Sequence, residues 1–335
     1  MKAARFDGDG VVSFEERPDP VVGPGDAVVE VAYCGFCGSD KRLLRHGARH
    51  VPGHEIVGRV VALGSGPASV TIGQVVVVYA LLHCGTCLWC TRGEPNRCAA
   101  MAGVIGWQAD GGFAERVRVP MRNLLPAPPD VPLRRSVLAL DTLGTASHGL
   151  RRAARAMDHP EGPTLVLGCG PLGLGVVAVA RHRDMEVFAY DPLPARLEAA
   201  ASLGARPWNA ESLRVGGTRT PGPFALVVEA TGVTEAQVAA SAAAGQGGVV
   251  LMLGEGEQPW SLPTSVHWRR TEVAWVRSFY FPLGEAAANW QLVREVGGTL
   301  EDLLVSCEPF SELPRVSSAF LSGALMKPVV DLAAR

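Results

Sequence analysis

The sequence predicts an α/β protein of two domains, a mostly-β first domain and a second domain built on a parallel sheet. Three observations lead to this prediction. The chain has 335 residues, more than one ordinary hydrophobic core accommodates. Its first 145 residues carry short valine-rich runs, separated by turn residues such as Pro24-Gly25 and Gly111-Gly112. From about residue 146, short apolar runs alternate with helical stretches rich in Ala, Leu and Arg.

The valine-rich runs of the first region are typical of strands in a barrel-like β-domain. They are AVVEVAY (27–33), EIVGRVVALG (55–64), QVVVVYALL (74–82) and FAERVRVP (113–120).

Strands that alternate with helices predict right-handed βαβ units and a doubly wound parallel sheet. The strand runs of the second region are TLVLG (164–168), EVFAYD (186–191), ALVVEATG (225–232) and GGVVLMLG (247–254). The last fifty or so residues form no clear unit of their own.

Composition and charge narrow the possible partners and location. Hydrophobic residues make up 47% and charged residues 19% of the chain, which indicates a globular protein. Because the 31 basic and 33 acidic residues leave a net charge of only −2, we expect neither a nucleic acid nor a membrane as partner. Five Gly and two Pro interrupt the uncharged stretch 162–180, and the first twenty residues lack the apolar core of a signal peptide. We therefore expect a cytoplasmic protein with reduced thiols.

A glycine-rich turn follows the first strand of the second region. Gly168, Gly170 and Gly173 have GxGxxG spacing, after TLVL and before an apolar helix. These glycines allow a tight turn, close approach of a pyrophosphate, and packing of helix on strand. Pro171 and Leu172 begin the helix, whose N-terminal N–H groups favour a phosphate. The turn predicts a dinucleotide site.

Asp191 ends the second strand, 23 residues after Gly168. A carboxylate at this point accepts hydrogen bonds from the adenosine ribose and disfavours the extra phosphate of NADP, so NAD is the predicted cofactor. A methyltransferase that binds S-adenosylmethionine is an alternative, because such enzymes also use a glycine-rich first turn and an acidic residue at this position.

Four of the eight cysteines lie within fifteen residues. Cys84, Cys87, Cys90 and Cys98 can surround one tetrahedral zinc with no open position, which is typical of a structural site. We predict a zinc lobe over about 83–99. An iron–sulfur cluster is an alternative, because its ligands occur at similar spacing.

A second constellation is dispersed along the chain. It consists of Cys37 in CGFCGSD, His54 and Glu55 in PGHE, and Asp141 in LALDTLG. A thiolate, an imidazole and a carboxylate leave a fourth metal position open for water or substrate, as a catalytic zinc requires.

The chain resembles the zinc-dependent medium-chain alcohol/polyol dehydrogenases. The motifs that carry the resemblance are GDAVVEVAYCGFCGSD, VPGHEIVGRVVALG, the four-cysteine lobe, DGGFAERVRVP, LVLGCGPLGLG and VVEATG, in this order. The resemblance implies a GroES-like β-barrel catalytic domain over 1–145 and 280–335, and a Rossmann domain that binds NAD over 146–279.

The resemblance also implies roles for single residues. Cys37, His54 and Asp141 correspond to the ligands of a catalytic zinc, and Glu55 to an alternate ligand. Ser39 corresponds to the hydroxyl that passes on the alcohol proton. Further implied or predicted site residues are Asp40, which orients the histidine ligand, and the cofactor-binding residues Gly168, Gly170, Pro171, Leu172, Gly173, Asp191, Arg196, Thr231, Gly232 and Gly254.

The sequence departs from the family pattern in three places. Arg42 stands where some alcohol dehydrogenases have a histidine that completes the proton path. The interval from Cys37 to His54 is shorter than usual, and Asp141-Thr142 replaces the Glu-Pro of many polyol enzymes.

The sequence therefore favours a zinc-dependent dehydrogenase that transfers hydride between an alcohol and NAD, with one structural and one catalytic zinc. A methyltransferase and a zinc-stabilised, nucleotide-binding redox sensor without turnover are the alternatives. We expect a homo-dimer or homo-tetramer, paired through the apolar strand near 273–281.

Overall fold

The computed structural model describes residues 1–158, 161–209, 223–256, 258–259, 261 and 266–334. The chain divides into two compact units. The first consists of Met1–Asp141 and Pro282–Arg335, and the second of Thr142–Phe281. The C-terminal segment thus packs with the N-terminal region, at boundaries four and two residues from the predicted 145 and 280.

The described residues form seventeen strands. In chain order they are β1 (Lys2–Gly8), β2 (Val11–Glu16), β3 (Asp26–Gly35), β4 (Glu55–Leu63), β5 (Val75–Val78), β6 (Leu81–Leu82), β7 (Gly103–Val104), β8 (Arg116–Pro120), β9 (Leu124–Pro126), β10 (Thr164–Leu167), β11 (Val187–Tyr190), β12 (Arg206–Pro207), β13 (Phe224–Glu229), β14 (Ala244–Met252), β15 (Ala274–Arg277), β16 (Val305–Pro309) and β17 (Lys327–Asp331).

The described residues also form eleven α-helices and several short 3-10 turns. The α-helices are α1 (Asp40–His46), α2 (Leu88–Thr91), α3 (Leu133–Ser136), α4 (Ala146–Ala154), α5 (Pro171–His182), α6 (Pro194–Ser202), α7 (Thr234–Ala243), α8 (Val266–Thr271), α9 (Ala286–Glu295), α10 (Gly297–Leu304) and α11 (Leu313–Ser322). The 3-10 turns are Pro95–Arg97, Met121–Asn123, Val137–Ala139, Leu283–Glu285 and Phe310–Glu312, and Asp141–Thr145 is a π-helical turn.

A seven-stranded sheet organises the first unit. Its strands run in the order β16-β17-β3-β4-β5-β9, with β8 paired to β3. All pairs are antiparallel except β16 with β17. Buried aromatic rings fill the core, with ring centres 4.6 Å apart for Phe36 and Phe113 and 5.0 Å apart for Phe36 and Phe320. Because β17 pairs with β3, the last strand of the chain lies beside the strand that leads into CGFCGSD.

A parallel six-stranded sheet organises the second unit. Its order is β12-β11-β10-β13-β14-β15, and every neighbouring pair is parallel. This is the doubly wound order: β11 and β12 are added on one side of β10, and β13, β14 and β15 on the other, so the strand order reverses between β10 and β13. Ligands of such sheets bind at that switch point, outside the carboxyl ends of the strands. The glycine turn follows β10 and therefore lies there.

Burial explains the continuous apolar runs of this sheet. All four residues of β10 are buried, as are eight of the twelve residues of α5. No helix in the described part of the chain combines the length and apolar composition that crossing a membrane requires.

Candidate active site

The four cysteines of the predicted zinc lobe lie together. Their sulfur atoms are within 4.8 Å of one another. The separations are 3.6 Å for Cys87 and Cys90, 3.8 Å for Cys84 and Cys90, and 4.0 Å for Cys87 and Cys98. Zinc–sulfur bonds of about 2.3 Å in a tetrahedron place neighbouring sulfurs about 3.8 Å apart. The four thiols therefore fit a closed zinc site.

The chemistry of this lobe also suits a metal. Backbone N–H groups of Thr86 and Cys87 lower the pKa of the Cys84 thiol to about 6, whereas burial raises the pKa of Cys90 to about 12. Four thiolates this close would repel one another without a cation between them. Helix α2 buries none of its residues, so a metal rather than a hydrophobic core would stabilise the lobe.

The dispersed second constellation converges in the first unit. One donor atom from each of Cys37, His54, Glu55 and Asp141 lies within 4.8 Å of the others. Asp141 Oδ2 is 3.1 Å from Cys37 Sγ and 3.2 Å from His54 Nε2. Sulfur, nitrogen and oxygen ligands at this spacing fit a catalytic zinc with three protein ligands.

Strand pairing brings these residues together. The antiparallel register of β3 and β4 pairs Gly35 with Glu55. Cys37 follows the end of β3, and His54 precedes the start of β4, so both lie at the same end of this strand pair. A methyl group added at Gly35 would lie 2.6 Å from Val137 Cγ1. Because Gly35 has no side chain, the segment that leads to Asp141 can approach this end of the strand pair.

Asp40 supports the histidine of the cluster. This carboxylate is fully buried; Oδ1 lies 3.4 Å from His54 Nδ1 and Oδ2 accepts the Cys37 N–H at 2.8 Å. Burial lowers the pKa of His54, but Asp40 and Asp141 outweigh it and the pKa is well above the usual range. Asp40 is thus placed to direct Nε2 of His54 toward Asp141 and Cys37, as a carboxylate behind a histidine ligand does.

Ser39 lies beside the cluster, half-buried and directly before α1. Its side chain makes no capping hydrogen bond to the first turn of this described helix. Three residues further on, the Arg42 guanidinium lies over the Trp107 ring, 4.5 Å from the ring centre. The departure at position 42 therefore places a cation against an aromatic ring.

The glycine turn of the second unit has room for a phosphate. Gly168 has a φ of +93°, a conformation that favours glycine. A methyl group at Gly173 would overlap the carbonyl oxygen of Gly168. A methyl group at Gly170 would meet nothing within 4 Å, so this backbone is open to a ligand at the start of α5, where Pro171 and Leu172 are the first two residues.

Asp191 is held against this turn. Residues Leu167 and Tyr190 pair in the parallel register, so β10 and β11 end side by side. Asp191 Oδ2 accepts the Cys169 N–H at 2.8 Å and lies 3.6 Å from Arg196 Nη1. The buried carboxylate therefore lies against the glycine turn, where β10 and β11 end.

The sequence of this chain is similar to those of known proteins. Residues 23–129 match the alcohol dehydrogenase GroES-like domain family. The zinc-type alcohol dehydrogenase B of Aspergillus flavus is 35% identical over 227 residues, which are 64% of this chain and 53% of that protein. The medium chain reductase/dehydrogenase ucsI of Acremonium sp. is 36% identical over 219 residues, which are 62% of this chain and 75% of that protein. The chain belongs to the zinc-dependent medium-chain dehydrogenase/reductase family.

The similarity to a solved structure extends over nearly the whole chain. The alcohol dehydrogenase TADH from Thermus sp. ATN1 has a TM-score of 0.87 and 31% identity, over 99% of both chains. The predicted fold class, a GroES-like domain with a Rossmann domain, is confirmed, and so is the family resemblance. The match to the Aspergillus relative spans about half of that protein's length.

One residue of this family member that the sequence analysis did not identify is Lys327. Its Nζ lies 2.5 Å from both carboxylate oxygens of Glu55 and donates to the Phe36 carbonyl at 3.1 Å. The two side chains are 1% and 0% exposed. Burial raises the pKa of Glu55, although Lys327 opposes this change. The ion pair holds Glu55 against Lys327 of β17, while one carboxylate oxygen of Glu55 stays within 4.8 Å of the other donors of the cluster.

A signal for this pair was present in the sequence. Lys327 is one of only three lysines, against 28 arginines, and it begins the apolar run KPVV. A charge at the start of a buried strand needs a partner. Its partner lies 272 residues away, so only the folded chain identifies it.

Proposed function

We propose that this chain is a zinc-dependent dehydrogenase that interconverts a secondary or polyol-like alcohol and its carbonyl compound. Oxidation removes one hydride and one proton from the CH–OH group; the hydride is transferred to NAD and the proton is released. The observation that carries the proposal is the mixed donor set of Cys37, His54 and Asp141, with the carboxylate 3.1 and 3.2 Å from the other two donors.

These three residues would hold a zinc ion with a fourth position free for substrate. A zinc ion there supplies a Lewis acid that polarises a substrate oxygen at neutral pH. Asp40 keeps the His54 ring in one orientation. Its own position is supported by the Cys37 N–H, 2.8 Å away.

Ser39 is the residue we propose to accept the substrate's hydroxyl proton. It lies two residues after Cys37 and one before Asp40, and its hydroxyl is not used to cap the described helix α1. Arg42, which lies over Trp107, does not offer the neutral imidazole that would continue such a relay. The proton would therefore pass from Ser39 toward solvent without a histidine at position 42.

Asp191 supports NAD rather than NADP. A buried carboxylate bound to the Cys169 N–H of the glycine turn can accept hydrogen bonds from ribose hydroxyls and repels a 2′-phosphate. Arg196, 3.6 Å from Asp191, compensates part of the carboxylate charge. We expect Asp191→Ser to raise the KM for NAD and to lower the ratio of the turnover with NAD to the turnover with NADP.

Purified protein tests the proposal directly. We expect about two zinc ions per chain, and NADH formation by absorbance with some member of a panel of secondary alcohols and polyols, run with NAD and with NADP. Cys37→Ala should abolish turnover yet keep NADH binding and Tm. Cys307→Ala, at an exposed thiol, is the matched control.

Three results would contradict the proposal. Unchanged turnover in Cys37→Ala would remove the catalytic role of the cluster. A wild-type protein that binds NADH but turns over nothing would favour the redox-sensor alternative. A protein that binds S-adenosylmethionine and not NADH would favour the methyltransferase.

The predicted homo-dimer or homo-tetramer also stays a proposal. It is supported by the position of β15 at the end of the six-stranded sheet, since an edge strand offers unpaired backbone groups to a second copy. Light scattering of the purified protein measures the oligomeric state, and a monomer at micromolar concentration would contradict it.

A further inference from the structure

Glu229 is a buried carboxylate at the switch point of the parallel sheet. It is the last residue of β13 and is 0% exposed. One oxygen, Oε1, accepts three hydrogen bonds: from the Thr231 N–H at 2.7 Å, the Thr231 hydroxyl at 2.5 Å and the Gly232 N–H at 2.9 Å. The other oxygen has no hydrogen-bond partner within the described part of the chain. The donors that meet Glu229 all come from the turn that follows its strand.

The backbone of Glu229 secures a second loop. Its carbonyl oxygen accepts the Leu253 N–H at 2.8 Å and the Gly254 N–H at 3.0 Å. A methyl group at Gly254 would lie 2.7 Å from Glu229 Oε2 and would overlap the Gly232 nitrogen. Glu229 thus connects the turns after β13 and β14, which pack without spare room.

The first of these turns contacts the glycine turn. A methyl group at Gly168 would overlap Thr231 Cγ2, the nearest atom to that position. Thr231 itself is exposed, and its hydroxyl oxygen also accepts the Val233 N–H at 2.9 Å, just before α7. The hydrogen bonds of the hydroxyl fix the Thr231 side chain, and the fixed side chain holds its methyl group against the Gly168 backbone.

A carboxylate suits this position better than an amide. Three donors converge on one oxygen, and hydrogen bonds to an ionised acceptor are roughly twice as strong as neutral ones. Fully buried carboxylates are costly without such partners, so a residue with only a packing role would be apolar here.

We propose that Glu229 is a positioning residue of the dinucleotide site. It holds the Thr231–Gly232 turn against Gly168 and thereby sets the shape of the site that receives the cofactor. This inference rests on the proposed function, because the site is argued to take NAD(H), but it makes a separate claim about which residue shapes the site.

The test compares Glu229→Gln and Thr231→Val with wild type. Thr231→Val removes the hydroxyl that donates to Glu229 and accepts the Val233 N–H, but it keeps a methyl group toward Gly168. Fluorescence titration gives the Kd for NADH, and steady-state kinetics give KM for NAD and kcat. Glu235→Gln is the matched control, since Glu235 is exposed in the first turn of α7.

We expect Glu229→Gln and Thr231→Val each to raise the Kd for NADH and the KM for NAD by about tenfold or more, the loss of a charge-assisted hydrogen bond. With saturating NAD, kcat should stay within about twofold. The double variant should bind about as weakly as either single variant, because both changes remove one shared interaction. Glu235→Gln should match wild type.

Contrary results are distinct from failure of the proposed function. If wild type does not bind NADH, the dehydrogenase proposal fails together with this inference. If wild type binds NADH and both variants bind it equally well, only the role of Glu229 is refuted. A lower Tm with unchanged Kd would show a structural role alone. If Glu229→Gln does not fold, Thr231→Val decides by the same titration.

Discussion

Replacing Lys327 with methionine tests the buried ion pair beside the candidate zinc site. The substitution keeps most of the side-chain volume but removes two contacts to Glu55 at 2.5 Å and one to the Phe36 carbonyl at 3.1 Å. Both members of the pair are at most 1% exposed. Glu55 would therefore be left as a buried carboxylate with no lysine to compensate its charge.

The size of the effect follows from this burial. Removing one partner of a buried ion pair costs about 3–5 kcal/mol, because the remaining charge is uncompensated. For a unit of this size, each kcal/mol shifts Tm by roughly 2–4 °C, so we expect Tm to fall by about 6–20 °C. Lys2→Met is the control, because Lys2 is only half-buried and lies over the Phe14 ring at 4.1 Å, a contact worth about 1 kcal/mol.

Calorimetry across pH separates the loss of charge compensation from a packing defect. Burial raises the pKa of Glu55 to about 7 even against the opposing charge of Lys327, so removal of Lys327 should raise it further. A group with a raised pKa contributes its stability below the unfolded pKa and loses it as pH rises through the folded pKa. The destabilisation of Lys327→Met should therefore shrink toward acid pH, and Glu55→Gln in the same chain should restore much of it.

A Tm within 2 °C of wild type would mean that the pair carries no such charge effect, a threshold equal to about 1 kcal/mol or less. A loss of the expected size that is independent of pH and is not restored by Glu55→Gln would instead indicate packing.

Three further predictions concern other charges and ligands. Cys84→Ser should reduce the zinc content by about one per chain and lower Tm, whereas a chelator should have little further effect on its Tm; plasma emission spectrometry and calorimetry measure both. Asp40→Asn should reduce kcat/KM about 10–100-fold with unchanged NADH Kd, and an unchanged rate would refute its orienting role. Burial raises the pKa of Glu301, but hydrogen bonds from Arg135 and Arg134 at 2.7 and 2.6 Å outweigh burial, so the pKa lies below its usual value. The stability that Glu301 contributes is present above the unfolded pKa and is lost as pH falls through the folded pKa. Glu301→Gln should cost about 1–3 kcal/mol at neutral pH and flatten the acid limb of Tm against pH; an unaltered acid limb would contradict this.

Local sequence was enough for features whose residues lie close together in the chain. The cysteines of 84–98 lie within fifteen residues, and the turn from Gly168 to Gly173 follows directly from strand, glycine spacing and helix. In such segments the neighbours that decide the conformation are already adjacent, so residue type and spacing carry most of the information.

The donors of the dispersed cluster come from distant parts of the chain. The sequence named Cys37, His54 and Asp141 as candidates through a family resemblance, and their grouping depends on the Gly35 to Glu55 register and on the close approach of Val137 to Gly35. No local pattern states which strands pair or in what register.

Lys327 and Glu229 were not predicted at all. Glu229 is followed at once by the turn it secures, but a carboxylate at the end of an apolar strand does not reveal which N–H groups it accepts. Lys327 finds its partner 272 residues away. Both are buried charges whose meaning depends on surrounding donors and acceptors.

The sequence by itself determined the two-domain α/β class, the four-cysteine lobe, the glycine turn and the family. These depend on residue types at short, regular intervals, which local sterics and hydrophobic periodicity translate directly into structure. Only the tertiary structure decided that Lys327 opposes Glu55 and that Glu229 holds Thr231 against Gly168. The energies of buried charges depend on contacts within a few ångströms, and strand pairing brings those contacts together from distant parts of the chain.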